Sequence, residues 1–190
     1  MRIISGQHKG RRINPPASLP VRPTTDYAKE GLFNVLNNLI DFSETSVLDL
    51  FSGTGNIAFE FSSRGSPTVL AVDIERRCVE FINQTAEKFK LEGFRAIRMN
   101  VMVLLKKKAW DSVDLVFADP PFGMDGIEKL PDLIRSSGIV KPTGIFILEH
   151  SEKYDFSDDP SFDQLREYGK VQFSFFSGMQ NEQEVQYSSS

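Results

Sequence analysis

Asp119-Pro120-Pro121-Phe122 follows the apolar run Val116-Phe117-Ala118. The run reads as the end of a buried strand. Prolines cannot donate to a sheet, so the strand must stop there. One proline or glycine is enough to stop a strand, and the acid, the rigid elbow and the ring ask for a further reason. An exocyclic amine on a nucleobase is a poor nucleophile, because its lone pair is delocalised into the ring. Fixed acceptors for its two N–H groups push the nitrogen toward a tetrahedral geometry. The Asp119 carboxylate is one such acceptor. The Pro120 carbonyl is the other, its direction fixed by consecutive prolines, and proline has no N–H to compete. Phe122 offers a face on which an unstacked base can rest. A plain strand-ending loop with an incidental acid explains the prolines alone.

A second constellation lies upstream. Gly53-Thr54-Gly55-Asn56-Ile57-Ala58 fits G-x-G-x-x-G/A, and Asp73 follows Gly55 by 18 residues at the end of the next apolar run. That spacing suits an acid hydrogen-bonding a ribose. A dinucleotide would rest its pyrophosphate on the helix that the glycines open. Asp49 stands four residues before Gly53, with Ser52 adjacent to the glycine. A carboxylate there opposes a pyrophosphate and suits a cationic sulfonium ligand with an ammonium group. The pattern favours S-adenosylmethionine over a dinucleotide. A loop-capping role for Asp49 and a turn role for Asp73 each explain one acid and not their spacing.

These residues need a scaffold that brings loop ends together. From residue 46 the chain alternates. SVLDLF, TVLAVD, RAIRMN, VDLVFAD and GIFILEH read as strands. NIAFEFSSR, RRCVEFINQTAEKFKL, VMVLLKKK and GIEKLPDLIRSSG read as the helices between them, the last interrupted by a proline. Near-continuous apolar strands separated by helices predict an α/β fold with a mostly parallel sheet covered on both faces. Ligands of such sheets bind beyond the C-terminal strand ends, where both constellations fall. FDQLREYGKVQFSFF predicts two further strands, antiparallel, turning at Tyr168-Gly169. TTDYAKEGLFNVLNNL predicts a leading helix, capped by Thr24 or Thr25, with Leu32, Leu36 and Leu39 on one face. RIIS, GQHKG and RRI predict an N-terminal β-hairpin, and the prolines after it a stiff connector. The expected organisation is a basic hairpin and connector over 1–23, one domain over 24–178, and an edge segment or tail over 179–190.

Composition is that of an ordinary globular chain, 40% hydrophobic and 25% charged in 190 residues. No apolar run approaches a membrane span, and the N-terminus has no signal-peptide core, so a cytoplasmic protein is expected. Cys78 is the only cysteine, which excludes an internal disulfide and a cysteine-cluster metal site. His8 and His150 pair with no nucleophile or metal cluster in the pattern, and structural roles are expected. The net charge is −4. Residues 1–30 nevertheless hold six basic side chains (Arg2, Lys9, Arg11, Arg12, Arg22, Lys29) and two acids, +4, leaving −8 elsewhere. A basic arm on an acidic body predicts a local polyanion contact. The Lys106–Lys108 run reads as a solvated helix end, and the phenylalanines 59, 61, 81 and 89 as core.

Taken together, DLFSGTG, AVD, ADPPF and above all VRPTTDYAKEGLFN resemble the bacterial family of 16S ribosomal RNA guanine-N2 methyltransferases that modify guanine 966 of the small subunit. The opening MRIISGQHKGRR is similar as well. D-P-P-[FY] alone is shared with adenine and cytosine amine methyltransferases, whereas RPTTD beside E-x-LFN is far narrower. The resemblance implies a Rossmann-like class I fold of seven strands and S-adenosylmethionine as cofactor. It implies that Asp49, Phe51, Ser52, Gly53, Thr54 and Gly55 line the methionine part of the donor. Asp73 with Ile74 would take the ribose side, and Asn100 with Val101 the adenine. Asp119, Pro120, Pro121 and Phe122 would hold the guanine amine. Arg22, Thr24, Thr25 and Asp26 would flank the substrate entrance, with Lys9, Arg11 and Arg12 on RNA phosphates and no metal. The family commonly has arginines where Tyr27 and Lys29 stand. Three rivals share parts of the pattern. They are an amine methyltransferase of another substrate such as N6-adenine, an NAD-dependent oxidoreductase, and a non-catalytic RNA-binding module.

Overall fold

The computed structural model describes residues 1–17, 19, 25–107 and 110–179. Arg22 and Thr24 of the predicted substrate entrance, Lys108 and most of the predicted tail lie outside these residues. The alternating pattern folds as β1 (Val47–Leu50), α2 (Asn56–Ser63), β2 (Val69–Asp73), α3 (Arg76–Phe89), β3 (Phe94–Arg98), α4 (Val101–Lys106), β4 (Val113–Ala118), α5 (Leu130–Ser137) and β5 (Val140–His150), preceded by α1 (Asp26–Leu36) and followed by β6 (Phe162–Tyr168) and β7 (Val171–Ser177). The seven strands form one sheet in the order β3-β2-β1-β4-β5-β7-β6. β1 to β5 are parallel, and β7 runs antiparallel to both β5 and β6.

Strand residues alternate between two cores, as the two-residue period of a strand requires. Val47, Leu115, Phe117, Ile147, Phe173 and Phe175 face α1, α2 and α3. Leu48, Leu50, Val116, Ala118, Phe146, Leu148 and Phe176 face α4 and α5. Both faces are covered, which explains why these strands carry apolar residues without interruption. Cys78 is buried, and that burial pushes its thiol pKa up to about 11. His8 stacks on Phe89, and His150 shares a hydrogen bond of 2.7 Å with the Ser174 hydroxyl.

Four expectations change. Thr25 caps α1 by accepting from the Ala28 N–H at 3.2 Å, but the helix stops at Leu36. Leu32 and Leu36 are buried while Leu39 is 45% exposed. Asn37 and Asn38 end the helix, asparagine being a poor helix former that favours turns. Pro131 does not interrupt a helix. It stands in the first turn of α5, where its missing N–H costs nothing. The N-terminal hairpin is reduced to a single bridge between Arg2 and Arg12. Its ladder stops because the next N–H groups, of Ile4 and Ser5, donate to the Glu60 carboxylate at 2.8 and 3.0 Å. The arm is bolted to α2 as well as paired with itself, the Ile3 N–H donating to the Arg11 carbonyl at 2.9 Å and the Gly10 N–H to the Ile3 carbonyl at 2.8 Å. At its turn, Gly6 lies so near the Ser63 carbonyl that a Cβ would fall 1.8 Å from the oxygen.

The fourth change concerns charge. Lys29 is not a free cation of the arm. It is 1% exposed, with its ammonium 2.7 Å from the Arg2 carbonyl, 2.8 Å from Asn56 Oδ1 and 3.6 Å from Glu60. Burial lowers its pKa, against the opposing pull of the Glu60 carboxylate. Arg2 is paired with Asp26 at 3.2 Å and Glu30 at 3.4 Å. The exposed cations left on the described arm are Lys9, Arg11 and Arg12.

Candidate active site

The strand order reverses between β1 and β4, and the two sequence constellations flank that point. In open α/β sheets this crevice is where ligands bind. After Leu50 the chain must leave the sheet sharply. Phe51 has φ +57, and Gly53 and Gly55 follow at +53 and +76. A phenylalanine in the left-handed region is strained, and such strain collects at functional loops. Gly55 opens α2 without a side chain to cap it. Asp49 supplies the cap from β1, its Oδ2 accepting the Ala58 N–H at 3.1 Å. Thr54 is buried, and its hydroxyl meets Met1 Sδ at 3.3 Å, which joins the arm to the loop.

Asp73 ends β2. One carboxylate oxygen accepts from the Gly53 N–H at 2.8 Å and the other from the Glu75 N–H at 2.8 Å. It thereby ties the glycine loop to the second strand, and each oxygen keeps a lone pair for a ligand hydroxyl. Beside it Ile74 is 60% exposed at the mouth. Asn100 follows β3 and caps α4, Oδ1 accepting from the Met102 and Val103 N–H groups at 2.8 and 3.2 Å. Its NH₂ remains to donate. Val101 is buried in the core under that cap.

Asp119 follows β4, its N–H directed at the Leu50 carbonyl at 3.4 Å. It therefore sits against the start of the glycine loop. Burial pushes its carboxyl up to about 7. Asp49 is also held well above the usual carboxylate range, first by burial and then by the charges of Asp119 and Asp73. Three carboxylates thus meet around one crevice, an arrangement a cationic ligand relieves. Pro120 is buried and Pro121 exposed. The Met124 N–H donates to the Pro121 carbonyl at 2.9 Å, closing a turn with Gly123 at φ +81. That turn lifts Phe122 to its tip, where the ring is 91% exposed.

The residues present fit S-adenosylmethionine. The Ser52 hydroxyl, in the glycine loop, is buried without a hydrogen-bond partner, and a polar donor group can satisfy it. The crowded carboxylates suit a sulfonium and oppose a phosphate. The predicted donor residues thus stand along the ends of β1, β2 and β3, and the predicted acceptor residues beyond β4. Thr25 and Asp26 lie at the start of α1, their side chains used in the cap and the Arg2 pair. Lys9 and Arg11 do not join this edge. The Gln7 N–H donates to the Ser63 carbonyl at the far end of α2, and Arg11 lies 4.9 Å over Phe89 at the end of α3. Eight residues of helix separate that end from the glycine loop, about 12 Å. Sequence reasoning named Phe51 within DLFSGTG but not its left-handed backbone, and it missed the Glu60 clamp, which belongs to no motif. A glutamate in an otherwise apolar helix face was the available signal for Glu60.

Fold and site together define a class I S-adenosylmethionine-dependent methyltransferase. The chain is similar over 93% of its length to the solved structure of a putative methyltransferase from Escherichia coli, covering 96% of that chain at 25% identity and a TM-score of 0.81. An RNA methyltransferase from Salinibacter ruber, solved with S-adenosyl-L-homocysteine, shares the fold at 12% identity and a TM-score of 0.64, over 83% of this chain and 94% of that one. The model of the family described as Conserved hypothetical protein 95 matches residues 1–177. Ribosomal RNA small subunit methyltransferase D of Escherichia coli is 30% identical over 149 residues, 78% of this chain and 74% of that protein. The chain belongs to this methyltransferase family.

Proposed function

We propose that the protein transfers a methyl group from S-adenosylmethionine to the exocyclic N2 amine of a guanine in 16S ribosomal RNA, the guanine 966 type, on the small subunit in the cytoplasm. The observation that carries this is the pairing, across the switch point, of an acid-lined crevice with a fully presented ring. Asp49, Asp73 and Asp119 crowd the crevice, and Phe122 stands at the tip of the adjoining turn. S-adenosylmethionine supplies an electrophilic methyl on a sulfonium when bound. Asp73 would accept its ribose hydroxyls, and the Asn100 NH₂ would donate to a ring nitrogen of its adenine. Asp49 keeps the glycine loop in register by capping α2.

The guanine would stack on Phe122, out of its RNA helix. Asp119, as the carboxylate, would accept one N–H of the amine, and the Pro120 carbonyl the other. Both acceptors turn the nitrogen lone pair out of the ring plane. The curated relatives are named for ribosomal RNA of the small subunit, which favours RNA over DNA as substrate. Lys9, Arg11 and Arg12 would touch phosphates remote from the target base.

The test is labelled methyl transfer to small ribosomal subunits, free ribosomal RNA and DNA, with the modified nucleoside identified by mass spectrometry. N2-methylguanosine is expected from the ribosomal substrates. N6-methyladenosine as the product, or transfer to DNA in preference, overturns the assignment.

A further inference from the structure

Lys153 belongs to none of the motifs. It stands exposed in the loop after β5, and its Nζ lies 5.8 Å from the centroid of the Phe122 ring and 4.6 Å from that of Tyr154. The lysine thus bridges the acceptor loop and the loop that follows the neighbouring strand. We infer that Lys153 is a positioning residue for the acceptor, pairing with a phosphate of the nucleotide whose base rests on Phe122. This rests on the reading of Phe122 as the base platform.

A local cation offsets local acids. Asp125 and Glu152 are exposed in the two loops that meet at Phe122, and a polyanion brought to this edge meets them. The arm cannot offset them here, since Lys9 and Arg11 lie toward the far end of α2 and α3. Among the described residues, Lys153 is the cation that the structure sets over the exposed ring of the catalytic turn. A nucleotide stacked on that ring carries its phosphates at the edge of its base, one sugar away. The Lys153 stem is long enough to follow them. Its present contacts do not hold it back, because a cation over an exposed ring is weak beside a charge-assisted ammonium–phosphate pair.

A purely structural lysine would tether Phe122 and nothing more, and the two roles separate by salt. Methylation of small-subunit RNA is measured over a series of KCl concentrations for the wild type, Lys153→Ala, Lys153→Met and Lys153→Arg. Donor affinity is measured in parallel by calorimetry. The methionine variant keeps the stem packing. For Lys153→Ala and Lys153→Met, KM for RNA should rise roughly 3- to 10-fold, and the log–log salt slope should become shallower by about 1. Donor affinity and kcat should hold, and Lys153→Arg should restore the slope. An unchanged slope, or a loss confined to kcat, overturns the phosphate role and leaves a tether. A wild type that methylates no guanine at all removes the base platform itself, a failure visible before any variant is compared.

Discussion

At the ends of β1, β2 and β3, Asp49, Asp73 and Asn100 all accept backbone N–H groups, Asp73 those of two loops and Asp49 and Asn100 those of the first turns of α2 and α4. Beyond β4, burial raises the pKa of the Asp119 carboxyl, and Phe122 projects into solvent. The donor side is therefore held in shape by its own chain. Among the described residues, the acceptor side keeps the Asp119 carboxyl free of side-chain caps, and its aromatic ring meets only the Lys153 ammonium at 5.8 Å. The difference follows from what each side must do. A donor of constant structure is best met by a preorganised loop, whereas an amine must find acceptors that nothing else has claimed. Mutations on the donor side should accordingly cost stability as well as affinity, and mutations on the acceptor side should cost rate or RNA binding and leave the fold and the donor affinity in place.

The largest expected effect breaks the acceptor side. Asp119→Ala removes an oriented acceptor, and such partners are worth roughly 10²–10³ in rate. The variant should still fold and bind the donor. Asp73→Ala should weaken the donor by ~1–3 kcal/mol through lost hydrogen bonds, and it should also lower the melting temperature by freeing the Gly53 N–H. Unchanged donor affinity by calorimetry would remove Asp73 from the site. Phe122→Ala should weaken productive RNA binding by ~1–3 kcal/mol through lost stacking, with Phe122→Tyr tolerated. A tyrosine variant as poor as alanine would argue against stacking.

The pH dependence sharpens the comparison. Asp119 has a folded pKa of about 7, above its ordinary 3.8, so the folded chain holds a proton the unfolded chain releases. That contribution to stability is full below about 4 and is lost as pH rises through about 7. Asp49, shifted in the same direction, adds in the same sense. The ligand-free protein should therefore melt at lower temperature as pH rises toward 8, and less steeply with Asp119→Asn. Activity should move the opposite way, because the carboxylate is the useful form. A bound sulfonium favours that form, so kcat should titrate at a lower pH than kcat/KM for the donor. A pH-independent rate between 5.5 and 8 would contradict a role for the ionised acid. The smallest effect belongs to the arm. Replacing Lys9, Arg11 and Arg12 together should flatten the salt slope of RNA binding by up to ~2–3 units, leaving donor affinity unchanged.

The strands and their order of function were legible because a doubly covered parallel sheet writes itself as apolar runs, and because Asp49, Asp73 and Asp119 mark where three of them end. Helix ends were less legible. Leu39 fits the period of α1, yet two asparagines stop the helix before it. The arm misled for a different reason. Its charges could be counted, but the partners of Lys29 and Arg2 lie elsewhere in the chain, Glu60 for the one and Asp26 and Glu30 for the other. Lys153 carried no signal, since its neighbour Phe122 is 31 residues away and meets it only through the pairing of β4 with β5.

The most direct measurement is single-turnover methyl transfer to small-subunit RNA by the wild type and by Asp119→Ala, each saturated with donor, with the product nucleoside read by mass spectrometry. N2-methylguanosine should form with the wild type and nearly vanish with the variant. Near-normal formation by Asp119→Ala would contradict an acceptor side built around an unclaimed carboxylate.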